Sequence, residues 1–353
     1  MKSNNDTIDN ITKDTNAGTE KDIAKEMNSN QEKQQAQIDK MFKQDSIRIV
    51  IMAVVAVIAV VSLLIKSKHD NSTLDGELIK DYRQTVSSSD YIIHALGGME
   101  GKECYINSID CLEKTYAAGY RLFEADVSFT SDGVLVLAHS GENNVWSKND
   151  WEKRLGQEYP FGAGSVVPEE YDEEKHLATY SDFMTFKIQG KYRASSFADL
   201  LDFMEEHTDM YVMVDAGNRS YEDTQTYYQE IVKEADGRTE VLDRLIAGGQ
   251  TTDMVKAARE VYDFPLINLY YPADDKREEI IYTPEKFAKY CKENDIISFS
   301  VAKEVYTQEV AEKLEKNNLI SYVFTVNDPA EDKQIRGYGA DVIGTDYLWV
   351  GDE

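Results

Sequence analysis

From Tyr91 to Asp346, short apolar runs alternate with helix-patterned stretches, and this alternation constrains the fold more than any other feature. YIIHAL, RLFEADV, MYVMVDAG, RLIAGG, LINLYY, IISFSV, YVFTVND and DVIGTD have strand length. Between them lie SIDCLEKTYAAGY, FADLLDFMEEH, DTQTYYQEIVKEA, MVKAAREVY, PEKFAKYCKEN, QEVAEKLEKNN and AEDKQIRGYG. Strands that alternate with helices build parallel sheets through βαβ units. Eight units in roughly 260 residues fit a closed (β/α)8 TIM barrel. An open doubly wound sheet is the rival, but no Gly-rich phosphate loop follows the first strand.

One interruption stands out. RLFEADVSF runs through TSDG into VLVLAH, and Asp132-Gly133 supplies a tight hairpin turn. The barrel is therefore expected to carry an extra β-hairpin that returns His139 to the end where Glu124 and Asp126 sit. Residues 140–195 then read as a loop insertion on a strand-to-helix connection, the face on which barrels carry their chemistry.

Upstream, no charged residue interrupts Ile49 to Ile65. Residues 47–65 are just long enough, at about 1.5 Å per residue, to cross about 30 Å of hydrocarbon as one transmembrane helix. The long polar stretch before the run and the lack of a small-x-small site after it argue for a retained signal anchor over a cleaved signal peptide. The flanking charges are almost balanced, and the long C-terminal part with no second span favours an extracellular C-terminal domain. The expected organisation is a disordered polar cytoplasmic tail (1–46), a transmembrane anchor (47–65), a linker (66–88) and a barrel domain (89–353).

The net charge is −27, and the acidic excess lies beyond the anchor. Nucleic acid is excluded as a partner, since binding it rests on neutralising phosphates with Lys and Arg. An acidic surface of this kind attracts divalent cations. Three cysteines, Cys104, Cys111 and Cys291, make neither a disulfide framework nor a zinc pattern.

In a strand, positions i and i+2 share a face, so Glu124 and Asp126 point the same way. Two carboxylates so placed repel unless one is protonated or a cation lies between them. The alternative, two acids on a solvated strand face, sits badly with Leu122, Phe123, Ala125 and Val127 around them. A hard divalent ion satisfies the pair with oxygen ligands. Asp215 ends the strand YVMVD and is a third candidate ligand, or else a turn residue before Gly217. His94 and His139 both terminate apolar strands; His69, His176 and His207 do not.

In this order, the motifs resemble the glycerophosphodiester phosphodiesterase family. The resemblance is carried by His94, Ile106-Asn107-Ser108, Glu124-Ala125-Asp126, Thr130-Ser131-Asp132-Gly133, His139, Asp215, Thr325-Val326-Asn327 and Gly339-Ala340-Asp341…Thr345-Asp346. It implies a TIM barrel with a divalent metal, Ca²⁺ or Mg²⁺, held by Glu124, Asp126 and Asp215. It implies that His94 and His139 move protons, His94 as base and His139 as acid, and that Asn107 binds substrate. The substrate it implies is a small phosphodiester, a deacylated phospholipid headgroup. The chain departs from the family pattern at four positions. Ala95 and Gly217 stand where the family has Arg and Lys, Ser140 where it has Asp, and Asp215 where it has the longer Glu. The shorter Asp215 leaves more room and favours Ca²⁺ over Mg²⁺. Lys102, Arg121 and Arg193 are candidate replacements for the missing cations.

The His-Ala-x-Gly-Gly start with Tyr-x-Asn-Ser is similar to a bacterial subgroup grouped with phosphatidylinositol-specific phospholipase C. Two other functions therefore stay open: a phospholipase C-like enzyme that forms a cyclic phosphate, and a membrane-anchored non-catalytic binding protein on a degenerate barrel.

Overall fold

The computed structural model describes residues 76–98, 103–141, 144–145, 179–185, 187–188, 191–217, 219–271 and 283–350. Eight parallel strands form the barrel, numbered here in chain order. They are β1 (Tyr91–Ile93), β2 (Leu122–Phe129), β3 (Tyr211–Asp215), β4 (Leu245–Gly249), β5 (Ile267–Tyr270), β6 (Ser298–Ala302), β7 (Ile320–Phe324) and β8 (Val342–Thr345). Neighbours in sequence are neighbours in the sheet, and β1 pairs with both β2 and β8. This double pairing closes the sheet and rules out the open alternative. Residues Asp75–Glu353 form one compact unit.

The helices that connect the strands are α1 (Ile109–Ala117), α2 (Phe197–Glu206), α3 (Tyr221–Ala235), α4 (Thr252–Val261), α5 (Pro284–Glu293), α6 (Gln308–Glu315) and α7 (Pro329–Gly337). Their starts are written in the sequence. Ser108, Ser196, Ser220, Thr251, Thr283, Thr307 and Asp328 each accept a hydrogen bond from a backbone N–H of the first turn. Such caps satisfy donors that have no partner inside the helix.

Alternation along each strand sorts the side chains. On β2, Phe123, Ala125 and Val127 face the helices in the main core, while Leu122 joins the cluster inside the barrel. Glu124 and Asp126 follow Leu122 on the inner face, further toward the C-terminal mouth.

The lower barrel is filled by Leu122, Tyr211, Ile246, Leu266, Ile320, Tyr322 and Val342. Tyr82 and Val86 enter this cluster from outside the strands, and Tyr82 is fully buried. They belong to a helix over residues 76–87. The sequence reading left 66–88 as a linker; the structure instead makes its last part the barrel's floor. Leu78, Ile79, Tyr82 and Val86 recur at helical spacing over this stretch, and the barrel supplies the partner that buries them.

The hairpin forms as expected. Leu135–Leu137 runs antiparallel to β2, with Val127 opposite Leu137 and Phe129 opposite Leu135. Gly133 adopts a φ of +83°, which the turn requires and an L side chain resists. The Ala138 N–H donates to the Asp126 carbonyl at 3.0 Å, so the chain returns to the mouth just before His139.

Of the insertion, residues 146–178 lie outside the described residues. Its C-terminal part packs Phe183, Ile188, Tyr192 and Ala194 against Ile106, Val136 and Ala138 in a small satellite core. The expected span over 47–65 and the tail over 1–46 also lie outside the described residues. Among those described, no helix is long and apolar enough to cross a membrane.

Candidate active site

The C-terminal mouth gathers the carboxylates of adjacent strands. Asp126 on β2 lies in register with Asp215 on β3. Glu124, Asp126 and Asp215 each offer one oxygen, all within 4.8 Å of one another. Glu124 and Asp126 are buried and Asp215 is half-buried. Burial, and then the Asp126 charge, push Glu124 well above the usual carboxylate range, against the pull of His94. Burial and Asp126 also raise Asp215, opposed by the Gly217 N–H, His139 and Arg219. The buried Oε1 of Glu124 has no hydrogen-bond partner. Three close carboxylates with an oxygen left unpaired, all hard donors, fit a divalent cation.

The remaining contacts hold these oxygens in place. Ala95 adopts a left-handed φ of +47°, which turns its N–H onto Glu124 Oε2 at 2.8 Å. Leu96, Tyr105 and Asn107 are left-handed as well. Non-glycine residues in this region are strained and concentrate at functional sites. Asn107, read from sequence as a substrate contact, uses both ends of its amide on Asp126. Its Nδ2 donates to Asp126 Oδ2 at 2.8 Å, and its Oδ1 accepts from the Asp126 N–H at 3.0 Å. In the structure it orients a carboxylate.

His94 sits at the end of β1 with Nδ1 2.7 Å from Asp346 Oδ1 and Nε2 3.8 Å from Glu124 Oε2. Asp346 is itself braced: Asn327 donates from Nδ2 to its Oδ2 at 2.6 Å and accepts its N–H. Burial opposes charge on His94, but Asp346, Glu124 and Asp126 together outweigh it and push its pKa up to about 10. Burial also opposes charge on Asp346, yet the His94 charge and the bonds from His94, Asn327 and Cys104 hold it below its ordinary value. His139 comes to the same mouth. The ring of Tyr105 meets both histidines edge-on, at 5.2 Å from His94 and 5.0 Å from His139.

All five proton-transfer and ligand candidates, His94, His139, Glu124, Asp126 and Asp215, therefore share one mouth. The candidate cations do not. Arg121 lies at the opposite end of β2, bonded to Asp209 at 2.7 Å and stacked on Tyr116. Arg193 pairs with Asp110 and Glu113 on α1. Lys102 lies outside the described residues. Sequence reading assigned no role to Asp346, Asn327, Tyr105 or Arg219. Asp346, Asn327 and Tyr105 belong to the motifs named from the sequence, without a role there, whereas Arg219 carries no local signal.

Below the carboxylates the bore stays open. A cavity of about 240 Å³ is lined by His94, Glu124, Asp215, Asn268, Ser300 and Tyr270 among others. Gly248 and Gly344 keep it so: a Cβ on either would lie within 3.0 Å of the neighbouring strand.

Comparison with known proteins agrees with this geometry. No curated protein sequence matches the chain. The fold is shared with a Silicibacter pomeroyi protein provisionally described as a glycerophosphoryl diester phosphodiesterase. It is 17% identical with a TM-score of 0.54, over 74% of this chain and 91% of that one. A glycerophosphodiester phosphodiesterase from Parabacteroides distasonis is 16% identical with a TM-score of 0.53, over 73% and 92%. An Oleispira antarctica phosphodiesterase, solved with the product sn-glycerol-3-phosphate, is 11% identical with a TM-score of 0.50, over 74% and 94%. At such identities these likenesses establish the common barrel. Residues 100–349, most of the chain, match the sequence profile of one enzyme family, and the chain belongs to the glycerophosphoryl diester phosphodiesterase family.

Proposed function

We propose that the protein hydrolyses a glycerophosphodiester by histidine acid–base catalysis at the barrel mouth, with a divalent ion held by Glu124, Asp126 and Asp215. The observation that carries this reading is the convergence of His94 and His139 on Tyr105 beside the three-carboxylate cluster. The Asp346 carboxylate fixes the proton of His94 on Nδ1 and leaves Nε2 for the reaction. Asp346 also stabilises the imidazolium that forms when Nε2 takes the nucleophile's proton. His139, brought in from the hairpin side, protonates the departing alcohol. A bound divalent ion would supply positive charge for the phosphate oxygens and would oppose the field that raises His94, bringing its proton affinity toward neutrality. Each histidine is expected to contribute about 10²–10⁴-fold.

The shorter Asp215 supports Ca²⁺ over Mg²⁺, since the larger ion accepts more distant and flexible ligands. The product of the Oleispira antarctica protein suggests a glycerol phosphate as product here too. We place the domain outside the cell on an anchor over residues 47–65, on the strength of that uncharged run. The test is a hydrolysis screen of the purified protein with Ca²⁺ or Mg²⁺ against glycerophosphodiesters, with glycerol phosphate measured as product. His94→Ala and His139→Ala should each lower turnover by about 10² or more while the protein stays folded. Undiminished activity in His139→Ala would remove the hairpin histidine from the mechanism.

A further inference from the structure

The loop after β3 holds a guanidinium whose surroundings do not account for it. Arg219 is only 9% exposed. Its Cζ lies 4.3 Å above the centre of the Tyr227 ring. Its Nε is buried with no hydrogen-bond partner, and among the described residues it forms no ion pair. Buried guanidinium groups are ordinarily paired and hydrogen-bonded, because losing water without replacement is costly. Stacking on Tyr227 compensates for part of this cost but uses the face of the group, leaving its in-plane donors unspent.

The position of those donors is informative. Nη1 lies 3.5 Å from where a Cβ on Gly217 would sit, and the Gly217 N–H donates to Asp215 Oδ1 at 2.7 Å. The arginine is therefore a near neighbour of Asp215, on which its charge acts. A Cβ on Gly217 would only touch the guanidinium at ordinary contact distance, and it is the left-handed φ of +62° that suits glycine there. Asp215 lies within reach of the Arg219 charge, yet no carboxylate among the described residues forms an ion pair with the arginine, so its donors remain for an added anion.

We propose that Arg219 binds the non-bridging oxygens of the substrate's phosphate at this mouth. The inference rests on the diester-hydrolase reading above and names the protein group that takes the substrate's charge. A planar fork of N–H donors matches two phosphate oxygens, and stacking on Tyr227 pre-sets its plane.

The test uses the full-length protein, its Arg219→Gln and Arg219→Lys variants, sn-glycero-3-phosphocholine as substrate and inorganic phosphate as the probe of anion binding. Arg219→Gln should lower kcat/KM by about 10²-fold and weaken phosphate inhibition by about tenfold, with Arg219→Lys in between. Both variants should keep the parent's melting temperature within a few degrees and its response to Ca²⁺. Unchanged phosphate inhibition in Arg219→Gln would overturn the proposal. Unfolding of both variants, or loss of the Ca²⁺ response with phosphate affinity intact, would do so too by making Arg219 a packing or charge-balancing residue. If the parent hydrolyses no diester yet binds phosphate through Arg219, the hydrolase reading fails while the anion site stands. Normal turnover in Arg219→Gln gives the reverse result.

Discussion

His94 Nδ1 lies 2.7 Å from Asp346 Oδ1, a contact between residues 252 apart in sequence that exists because β1 and β8 pair to close the barrel. Removing the acceptor's charge tests it. Asp346→Asn should lower turnover by about 10²–10³-fold and shift the pH–rate profile, because His94 loses both its tautomer lock and its stabilising charge. Metal-induced thermal stabilisation should survive, since Asp346 is not in the carboxylate cluster. If turnover and its pH profile match the parent's, the pair does not serve catalysis.

The carboxylate cluster predicts an unusual pair of thermal shifts. An ion that binds only the folded state stabilises it by mass action, so Ca²⁺ or Mg²⁺ should raise the melting temperature and chelator should reverse the gain. Glu124→Gln and Asp126→Asn should melt higher than the parent in chelator, by relieving repulsion, and should lose the response to metal. Calorimetry with and without metal checks both signs. Parent activity that persists through exhaustive chelation would rule out metal dependence.

The same groups set the pH dependence of the metal-free protein. Glu124 and Asp215 hold protons more tightly when folded, so stability grows as pH falls through the interval between their folded and ordinary values. His94 is raised from 6.5 to about 10, so its contribution is full below 6.5 and is lost as pH rises through about 10. Both effects have one sign. In chelator the melting temperature should fall steadily from about pH 5 to about pH 9, with a shallower slope in Glu124→Gln. A parent curve that is flat or rises with pH would contradict the electrostatics of the site.

Tyr82 closes the bottom of the barrel, fully buried among Leu122, Ile246, Ile320 and Tyr322. Tyr82→Ala should cost about 3–5 kcal/mol, the range for emptying a large aromatic site in a core. Urea denaturation measures it. A loss below about 1 kcal/mol would return residues 76–87 to the status of a linker.

The anchor is tested on intact cells. If residues 47–65 span the membrane with the barrel outside, external protease should reach the C-terminal domain and leave the N-terminal tail intact. A protected barrel would reverse the orientation, and release of the whole chain from washed membranes would remove the anchor.

What the sequence determined by itself is local. The period-2 pattern of Leu122, Glu124 and Asp126 puts two acids on one face of a strand. Asp132-Gly133 turns the chain so that His139 comes back to them, and Ser or Thr before six of the seven helices, with Asp328 before the seventh, marks where each begins. These features depend on backbone periods and on hydrogen bonds within a few residues, which the sequence carries directly. The tertiary structure decided what depends on closure and register. The brace of Asn327 and Asp346 on His94 forms only when the last strand meets the first. Asn107 turns to Asp126 because the loop after β1 crosses β2. Arg219 carries no motif, and only the fold stacks it on Tyr227 beside Gly217. Residues 76–87 carry apolar side chains at helical spacing, but only the open end of a barrel offers Tyr82 an apolar place to go, because burial is a property of the partner surface and not of the segment that fills it.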